Sequence, residues 1–526
     1  MAFTSLKLRE DYWDTLNLEE SDIEFLYGIL MEAETPLTSQ ELVGVLAKER
    51  IRREKSDLEL QRSSGGDLYV PKEQYTKSQN LIFPALNWQR GKVMGVRSGY
   101  NPDIGDFQVI QVAFEDGATR EYASGLPEHI LNNPPEVDDD DGLDLQSVLD
   151  VYQESLSDAV EDGLGSRSDF VRIAGRWFPR ALLIDINIGH LNLAEAALDM
   201  AGGGPLPTSA LLEQLELPAD VNSKLLEFSL DLALQEDDRF DEVGPAGKVL
   251  WFLKRLEPEP VLEPPLQLRY PGIDYDRSAM SEAMLALERE LDDELSPLEG
   301  KQHQDNESDI RLIFPHWRAG TLPLASRIRH LFPTAYEAPR IRFTLVDGEN
   351  GESFPAWVVR NKRYVYGLKD WYARRGLQPG SIIRVQRGRQ PGEVILHSDV
   401  RRSSREWVRT VLVGSDGGVV FAMLKQIVQS HYDDRMVIAV PDLDALDQIW
   451  EQPGKDHQPF ERVVVNMVRE LSKLNPQGHV HATELYAALN VVRRCPPGPI
   501  LALMASRSWF VHVGDLHFRL TEPERN

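Results

Sequence analysis

The chain has 526 residues, of which 57 are Lys or Arg and 84 are Asp or Glu, for a formal charge of −27. That balance excludes a histone-like or ribosomal-type protein, whose whole surface neutralises phosphates. The single cysteine, Cys495, excludes a disulfide framework and any multi-cysteine metal site, and no run approaches the ~18 apolar residues of a membrane span. Residues 1–12 carry Lys7, Arg9, Glu10 and Asp11 around no apolar core, so neither a signal peptide nor a membrane partner is expected, and the expected location is cytoplasmic. At ~150 residues per domain the length suits three or four domains.

In the first block, 1–76, Ser21-Asp-Ile-Glu24 has the spacing of a capping box, in which a Ser hydroxyl and a Glu carboxylate satisfy each other's backbone N–H groups. Ile23, Leu26, Tyr27 and Leu30 then form a helical stripe. Thr38-Ser-Gln-Glu41 repeats the signal before Leu42, Val45 and Leu46. Lys48, Arg50, Arg52, Arg53 and Lys55 crowd this helix among Glu49, Glu54 and Asp57, a pattern that predicts a salt-bridged face. Over 77–135 the period falls to two, with Phe107, Val109, Val112 and Phe114 between the turn signals Asn101-Pro102 and Asp116-Gly117, predicting a small β module. Residues 136–165 hold eleven acidic residues and no basic one, including Asp138 to Asp141, and read as an acidic linker.

In 166–256, Thr208 precedes Leu212 and Leu215 at the offsets by which Thr38 precedes Leu42 and Val45. A longer helix carries Leu225, Phe228 and Leu232, and Phe240 to Leu256, broken at Gly244-Pro245, reads as a hairpin. Residues 257–309 hold fifteen acidic and four basic residues, with Glu257-Pro-Glu-Pro260 and Pro264-Pro265, the composition of a stiff acidic linker with one helix near Met280 to Leu295. Leu81-Ile-Phe-Pro84, before Trp88 and Gly91, is echoed by Leu312-Ile-Phe-Pro315, before Trp317 and Gly320; duplication and chance both account for it.

Residues 310–405 read as a basic β domain. The stretch 340–410 holds fifteen basic and seven acidic residues, a net of +8. An α/β segment, 406–455, follows. In 456–526, Phe460, Val464, Met467, Val468 and Leu471 form a stripe, His481-Ala-Thr-Glu484 opens the next helix, Pro496-Pro497 starts a third, and Trp509 to Leu520 alternates around Gly514-Asp515 as a hairpin.

Helix, turn, helix, helix, hairpin is the order of a winged helix. The C-terminal copy resembles the winged-helix modules of transcription-associated proteins, including that of the bacterial RNA polymerase delta subunit. Copies are expected at 166–256 and 456–526, and a third at 1–76. Tyr364 to Val385 resembles the DNA-binding pseudobarrel of plant transcription factors and certain restriction enzymes. There a short helix bearing an aromatic, here Trp371 and Tyr372, precedes a Leu-x-Pro-Gly turn, here Leu377 to Gly380, that feeds a central strand, here Ile382 to Val385. The resemblance implies that the helix plugs one end of the barrel and that this domain contacts DNA. The expected class is therefore multidomain α+β, with winged-helix modules flanking small β-barrel domains.

Arg384, Arg387 and Arg389 alternate along one strand and share a face, while Arg360, Lys362 and Arg363 cluster on a turn. These six are the candidate DNA-contacting residues. Capture of this face by the chain's own acidic stretches is the competing expectation. The other third helices are acidic (Glu227, Asp231, Glu236, Asp237, Asp238) or apolar (Pro499 to Ser506, then Arg507), which suits protein contact. Gly244-Pro-Ala-Gly247-Lys248 lacks phosphate-loop spacing. His479, His481, His512, Asp515 and His517 could form a metal site were the hairpin folded over the helix, but exposed strand and turn residues are the expected account because no Cys or carboxylate pair has ligand spacing. Asp442, Asp444 and Asp447 follow a strand, as nuclease carboxylates do, and equally suit a loop and helix start. No catalytic, cofactor or metal residue is expected. The function expected is non-enzymatic DNA binding in transcription, against a protein-only scaffold or a subunit of a nuclease or defence system.

Overall fold

The computed structural model describes residues 10–521 except 64–65, 84–85, 87–88, 103–104, 115–116, 133–144, 216, 218–220, 299–304, 391, 415–416 and 453–457. The described residues form a mixed α+β structure with six sheets. The chain divides into two units, Met1–Ile184 with Asn222–Phe228, and Asp185–Val221 with Ser229–Asn526.

The first unit opens with α1 (Glu10–Asp14), α2 (Glu20–Ala33), β1 (Leu37–Thr38) and α3 (Ser39–Ser63). The cap of α2 lies two residues before the expected one. Glu19 and Asp22 form the box, and Asp22 donates no flexibility to an alternative because Arg50 of α3 holds its buried carboxylate. Ser21 is left exposed. The second box is where the spacing puts it: Thr38 N–H donates to Glu41 Oε2 at 2.8 Å, and Glu41 N–H to Thr38 Oγ1 at 3.2 Å. Three basic residues of α3 are spent on neighbours: Arg50 holds Asp22, and Arg52 and Arg53 hold Glu49 at 2.7 and 2.8 Å. The side chains of Glu54, Lys55 and Asp57 lie outside the described residues.

Next come β2 (Asp67–Leu68), β3 (Asn80–Phe83), β4 (Gln89–Asn101), β5 (Gly105–Phe114) and β6 (Thr119–Ser124), paired in sequence order over a core of Phe83, Ile110, Val112 and Phe114. Then α4 (Leu145–Gly165) leads to the hairpin β7 (Phe170–Ile173) and β8 (Arg176–Pro179). β8 pairs with β1, placing Trp177 opposite Leu37, in a sheet of order β1-β8-β7. This corrects three expected boundaries. The hairpin that completes the first helical block lies at 170–179, not before residue 76. It belongs to the first unit, so the next arrangement begins near 185 and not at 166. Residues 145–165 are no linker: Val148, Leu156, Val160 and Leu164 bury one side of α4 beneath its acidic face. The run Asp138 to Asp141 lies outside the described residues.

The next elements are α5 (Ile188–Met200), α6 (Thr208–Leu212), α7 (Ser223–Gln235), β9 (Phe240–Glu242) and β10 (Trp251–Leu253). Leu206 bridges to Trp251 as Leu37 does to Trp177. Leu191, Leu198, Leu211, Leu230, Leu234 and Trp251 share one core.

Residues 257–309, expected as a linker, are built into the second unit. α8 (Glu259–Leu262) buries Val261, and α9 (Glu282–Leu291) buries Met284 and Leu287 in the same cluster as Val464, Leu485 and Ile500. Asp292, Asp293 and Glu294 are buried too. A high density of acidic side chains hid an apolar face in both acidic stretches.

The basic domain is a curled seven-stranded sheet of order β11-β16-β17-β13-β14-β15-β12. It runs from β11 (Glu307–Arg311) through α10 (Phe314–Ala319), β12 (Thr321–Pro323), β13 (Arg340–Asp347), β14 (Ser353–Val359), β15 (Tyr364–Tyr366), α11 (Lys369–Arg375) and β16 (Ile382–Arg387) to β17 (Glu393–His397). Only β13 with β17 is parallel among these pairs. Trp371 of α11 is 1% exposed, and its Nε1–H donates to Asp347 Oδ2 at 2.9 Å. Gly380 takes φ +94, and a Cβ there would meet the Val437 backbone at 2.4 Å, so the turn requires glycine. The Leu-Ile-Phe-Pro echo has two different structures: Leu81 to Phe83 lie in β3, whereas Phe314 opens α10; Pro84 and Trp88 lie outside the described residues.

The hairpin β18 (Val400–Val413) and β19 (Val419–Ser430), with β20 (Ile438–Ala439) and α12 (Leu443–Glu451), leads to α13 (Phe460–Ser472), β21 (Val480–His481), α14 (Ala482–Val492), α15 (Pro497–Ser506), β22 (Phe510–Gly514) and β23 (His517–Leu520). The last sheet has order β21-β23-β22, with Val480 opposite Phe518. The first sheet and the last thus share one strand order, each beside helices. Among the described residues, no helix is long and apolar enough to cross a membrane.

Candidate nucleic-acid interface

Part of the positive charge counted in 340–410 is closed off by carboxylates. Arg340 meets Asp241 and Glu257, Arg374 meets Glu352, Arg375 meets Asp347 and Glu349, and Arg409 meets Glu484. Arg342 lies against both Phe252 and Trp357, 5.0 and 5.6 Å from their ring centres, and burial lowers its pKa.

The six candidate residues divide, and the expected shared face of Arg384, Arg387 and Arg389 does not form. Arg384 and Arg387 stand three residues apart on the unbroken strand β16 and so lie on opposite faces, and Arg389 lies beyond its end. Arg384 faces Asp309 across the β11–β16 pair at 2.9 Å, and this contact raises the Arg384 pKa. It is thus engaged by the end of an acidic stretch, as the competing expectation has it. Arg360 and Arg363 are held by backbone carbonyls instead. Arg360 Nη1 donates to Ala338 O at 2.8 Å, and Arg363 Nη1 to Glu294 O at 3.0 Å. Arg387 Nη2 donates to His330 O at 2.8 Å. A carbonyl anchors a guanidinium without cancelling its charge, so these three stay cationic toward solvent. Lys362 and Arg389 are exposed and have no ion pair among the described residues.

Arg363 also has left-handed backbone, φ 56. That conformation is uncommon outside glycine and is retained where the surroundings fix it, often at a functional position. Here it ends the turn Arg360–Lys362 and turns the side chain toward Glu294.

The structure links the two predicted clusters through His330. His330 holds Arg387 by its carbonyl, and it lines a cavity of about 450 Å³ together with Arg329, Arg360 and Arg363. Arg329 was missed because the charge count began at residue 340; the segment Ser326-Arg-Ile-Arg-His330 carries the signal.

Beside this cavity lies a buried ionic knot. Arg494 Nη2 donates to Asp293 Oδ1 at 2.6 Å and to Glu294 Oε1 at 2.7 Å, with the guanidinium wholly enclosed. Glu294 also meets His316 Nε2 at 3.0 Å, and Tyr486 donates to Asp293 at 2.6 Å. Burial acts to raise both carboxyl pKa values. Arg494 and His316 win at Glu294, which is held below the usual carboxylate range, while burial wins at Asp293, which is raised.

The discounted groups have local roles. Asp442 caps α12 by accepting from Ala445 N–H at 3.0 Å, and Asp447 binds Arg318. Ligand atoms of His481, Asp515 and His517 lie within 4.8 Å of one another. His481 Nδ1, however, accepts from Thr483 N–H at 3.1 Å at the start of α14, so its neutral ring carries its proton on Nε2 and presents a donor there. Burial, with Arg435 nearby, pushes its pKa down to about 4. Burial raises the Cys495 thiol pKa, which keeps it inert.

The third helices differ from a free docking surface. Asp231 of α7 is buried and accepts from Thr208 Oγ1 and Trp251 Nε1. In the first unit the Ser39 hydroxyl likewise donates to Glu161, while Trp177 Nε1–H donates to Ser39 Oγ and not to the carboxylate. α15 is covered by α9, since Ile500 and Leu501 share a core with Met284 and Leu287, and Arg507 pairs with Glu461.

No family model, curated protein or solved structure matches this chain.

Proposed function

We propose that this chain is a DNA-binding, transcription-associated protein whose seven-stranded domain, read as a pseudobarrel, contacts the phosphate backbone. The carrying observation is the convergence of Arg360, Arg363 and Arg387 through carbonyl anchors, with Arg329 beside them. Lys362 and Arg389 extend this face, and Arg384 contributes least because Asp309 already occupies it. Three winged helices complete the reading. One is assembled from α2, α3, α4, β7 and β8, one from α5, α6, α7, β9 and β10, and one from α13, α14, α15, β22 and β23. The repeated pairing of Leu37 with Trp177, Leu206 with Trp251 and Val480 with Phe518 supports this.

The test is retention of duplex DNA by the full chain across a salt series. The logarithm of affinity should fall with that of salt by roughly 0.9 per neutralised phosphate. Changing Arg360, Arg363 and Arg387 together to Gln should weaken binding at least tenfold at low salt. Absence of salt-sensitive retention overturns the reading.

A second reading, a protein-only scaffold, draws on the hairpin β18–β19. Trp407, Met423 and Ile427 share one of its faces and are exposed, Trp407 by 62%. Failure of the DNA test, with loss of a protein partner on Trp407→Ser, favours it.

A further inference from the structure

We infer that the cavity bordered by Arg329, Arg360 and Arg363 is a nucleotide site, taking one nucleoside monophosphate unit, either free or turned out of a DNA strand. Its charge balance points that way. Every carboxylate at its wall is already engaged: Asp292 by Arg327 Nε and the Ser326 hydroxyl, Asp293 by Arg494 and Tyr486, Glu294 by Arg494 and His316. The three arginines have no carboxylate partner among the described residues. Arg360 and Arg363 are positioned by carbonyls through Nη1, which leaves the other guanidinium N–H groups for a ligand. A planar fork of donors fixed in place suits a phosphate.

The rest of the wall asks for more than phosphate. Leu324, Phe332 and Val358 give it apolar surface that fits a flat ring. The Ser296 hydroxyl and Glu294 Oε2 have no hydrogen-bond partner among the described residues, but both atoms are closed to solvent, so the apolar wall is what a base would meet. An isolated inorganic anion does not use that wall. The volume of about 450 Å³ lies within the range of small-ligand sites, roughly 300–1,000 Å³. In a strand, entry requires the nucleotide to leave the stack, which proteins acting on single bases achieve by rotating it outward.

The free-nucleotide source stands apart from the DNA reading above; the strand source rests on it. Calorimetry on the full chain should be run with the four deoxynucleoside monophosphates, their nucleosides and inorganic phosphate. In parallel, a duplex carrying 2-aminopurine should be followed by fluorescence, which rises when that base unstacks. Two variants serve both arms. Arg363→Gln removes an exposed cation, and Leu324→Trp fills the cavity without changing charge. For a free nucleotide, at least one monophosphate should bind tenfold or more tightly than its nucleoside and than phosphate, and each variant should weaken it at least tenfold. For a strand nucleotide, the duplex should brighten, and Leu324→Trp should abolish this while salt-sensitive DNA retention persists. Should Leu324→Trp fail to fold, Leu324→Phe, a smaller filler of the same charge, carries the same comparison. Phosphate binding as tightly as every monophosphate overturns the inference. So does a lack of response in both arms, with DNA retained; in that event the DNA reading stands alone. Loss of DNA retention as well removes both.

Discussion

Arg494 and Arg363 are both held by Glu294, one through its carboxylate and the other through its backbone carbonyl. Arg494 is enclosed by two carboxylates and serves the interior; its charge is invisible from outside. Arg363, anchored by a neutral carbonyl, keeps its charge for whatever approaches. The comparison separates two uses of one residue type that a charge count treats alike. An Arg beside a carboxylate belongs to the fold, and an Arg pinned by carbonyls is available to a ligand.

The strongest way to break this comparison is Arg494→Met. It strands Asp293 and Glu294 inside the protein, and removing one partner of a buried pair costs about 3–5 kcal/mol. Chemical denaturation should show a large fall in midpoint; an unchanged midpoint means that the knot does not hold the fold. Trp371→Ala probes the apolar equivalent within the β domain. Truncating a buried Trp costs about 3–5 kcal/mol, and here the mutation also removes a donor from Asp347, leaving it Arg375 and the Glu349 N–H. Lost cooperativity of the β-domain transition is expected; an intact transition removes the plug role of α11.

A smaller, pH-dependent effect comes from Glu242, a half-buried carboxyl with no arginine partner among the described residues. Burial, with Glu337, Asp231 and Asp241 nearby, pushes its pKa up to about 8. A carboxyl whose pKa is higher in the folded than in the unfolded state binds more protons when folded. Stability therefore falls as pH rises from its ordinary value toward about 8. The melting midpoint of the native chain should drop between pH 5 and pH 8, and Glu242→Gln should shrink that drop. An equal drop in the variant assigns the dependence to other groups. The smallest stability effect belongs to Arg363→Gln. As an exposed residue it should change stability by less than about 0.5 kcal/mol, while the salt slope of DNA binding decreases by about one. A stability loss as large as that of Arg494→Met would erase the distinction drawn above.

What could be read from sequence was what local spacing dictates. Thr38 and Glu41 cap a helix because both partners lie three residues apart, and Gly380 takes a positive φ because its own turn demands it. Trp371 is buried where the aromatic-helix pattern puts it. What could not be read were choices made by distant residues. Glu19 displaces Ser21 as the cap of α2 because Arg50, on another helix, fixes Asp22. The acidic stretches hid α4 and α9 because charge on one face says nothing of the apolar spacing on the other. Of the six candidate residues, Arg384 and Arg387 were expected on one face, yet a spacing of three on one strand puts them on opposite faces, and the partner strand supplies Asp309 to the first alone.

The pairing of Leu37 with Trp177 has a consequence for how the protein is made. The whole five-stranded sheet β2–β6 and helix α4 lie between those two strands in sequence. A ribosome must therefore release the chain past Pro179 before β1 finds its partner, and closing so long a loop carries an entropy cost that contiguous hairpins avoid. The β2–β6 sheet, whose neighbours follow one another in the chain, is complete earlier. By forming first it shortens the effective loop and brings α3 and α4 together. The inserted module thus acts as a folding spacer for the element that surrounds it, and circular permutants opened between β6 and α4 should assemble the β1–β8 pairing more slowly than the native order.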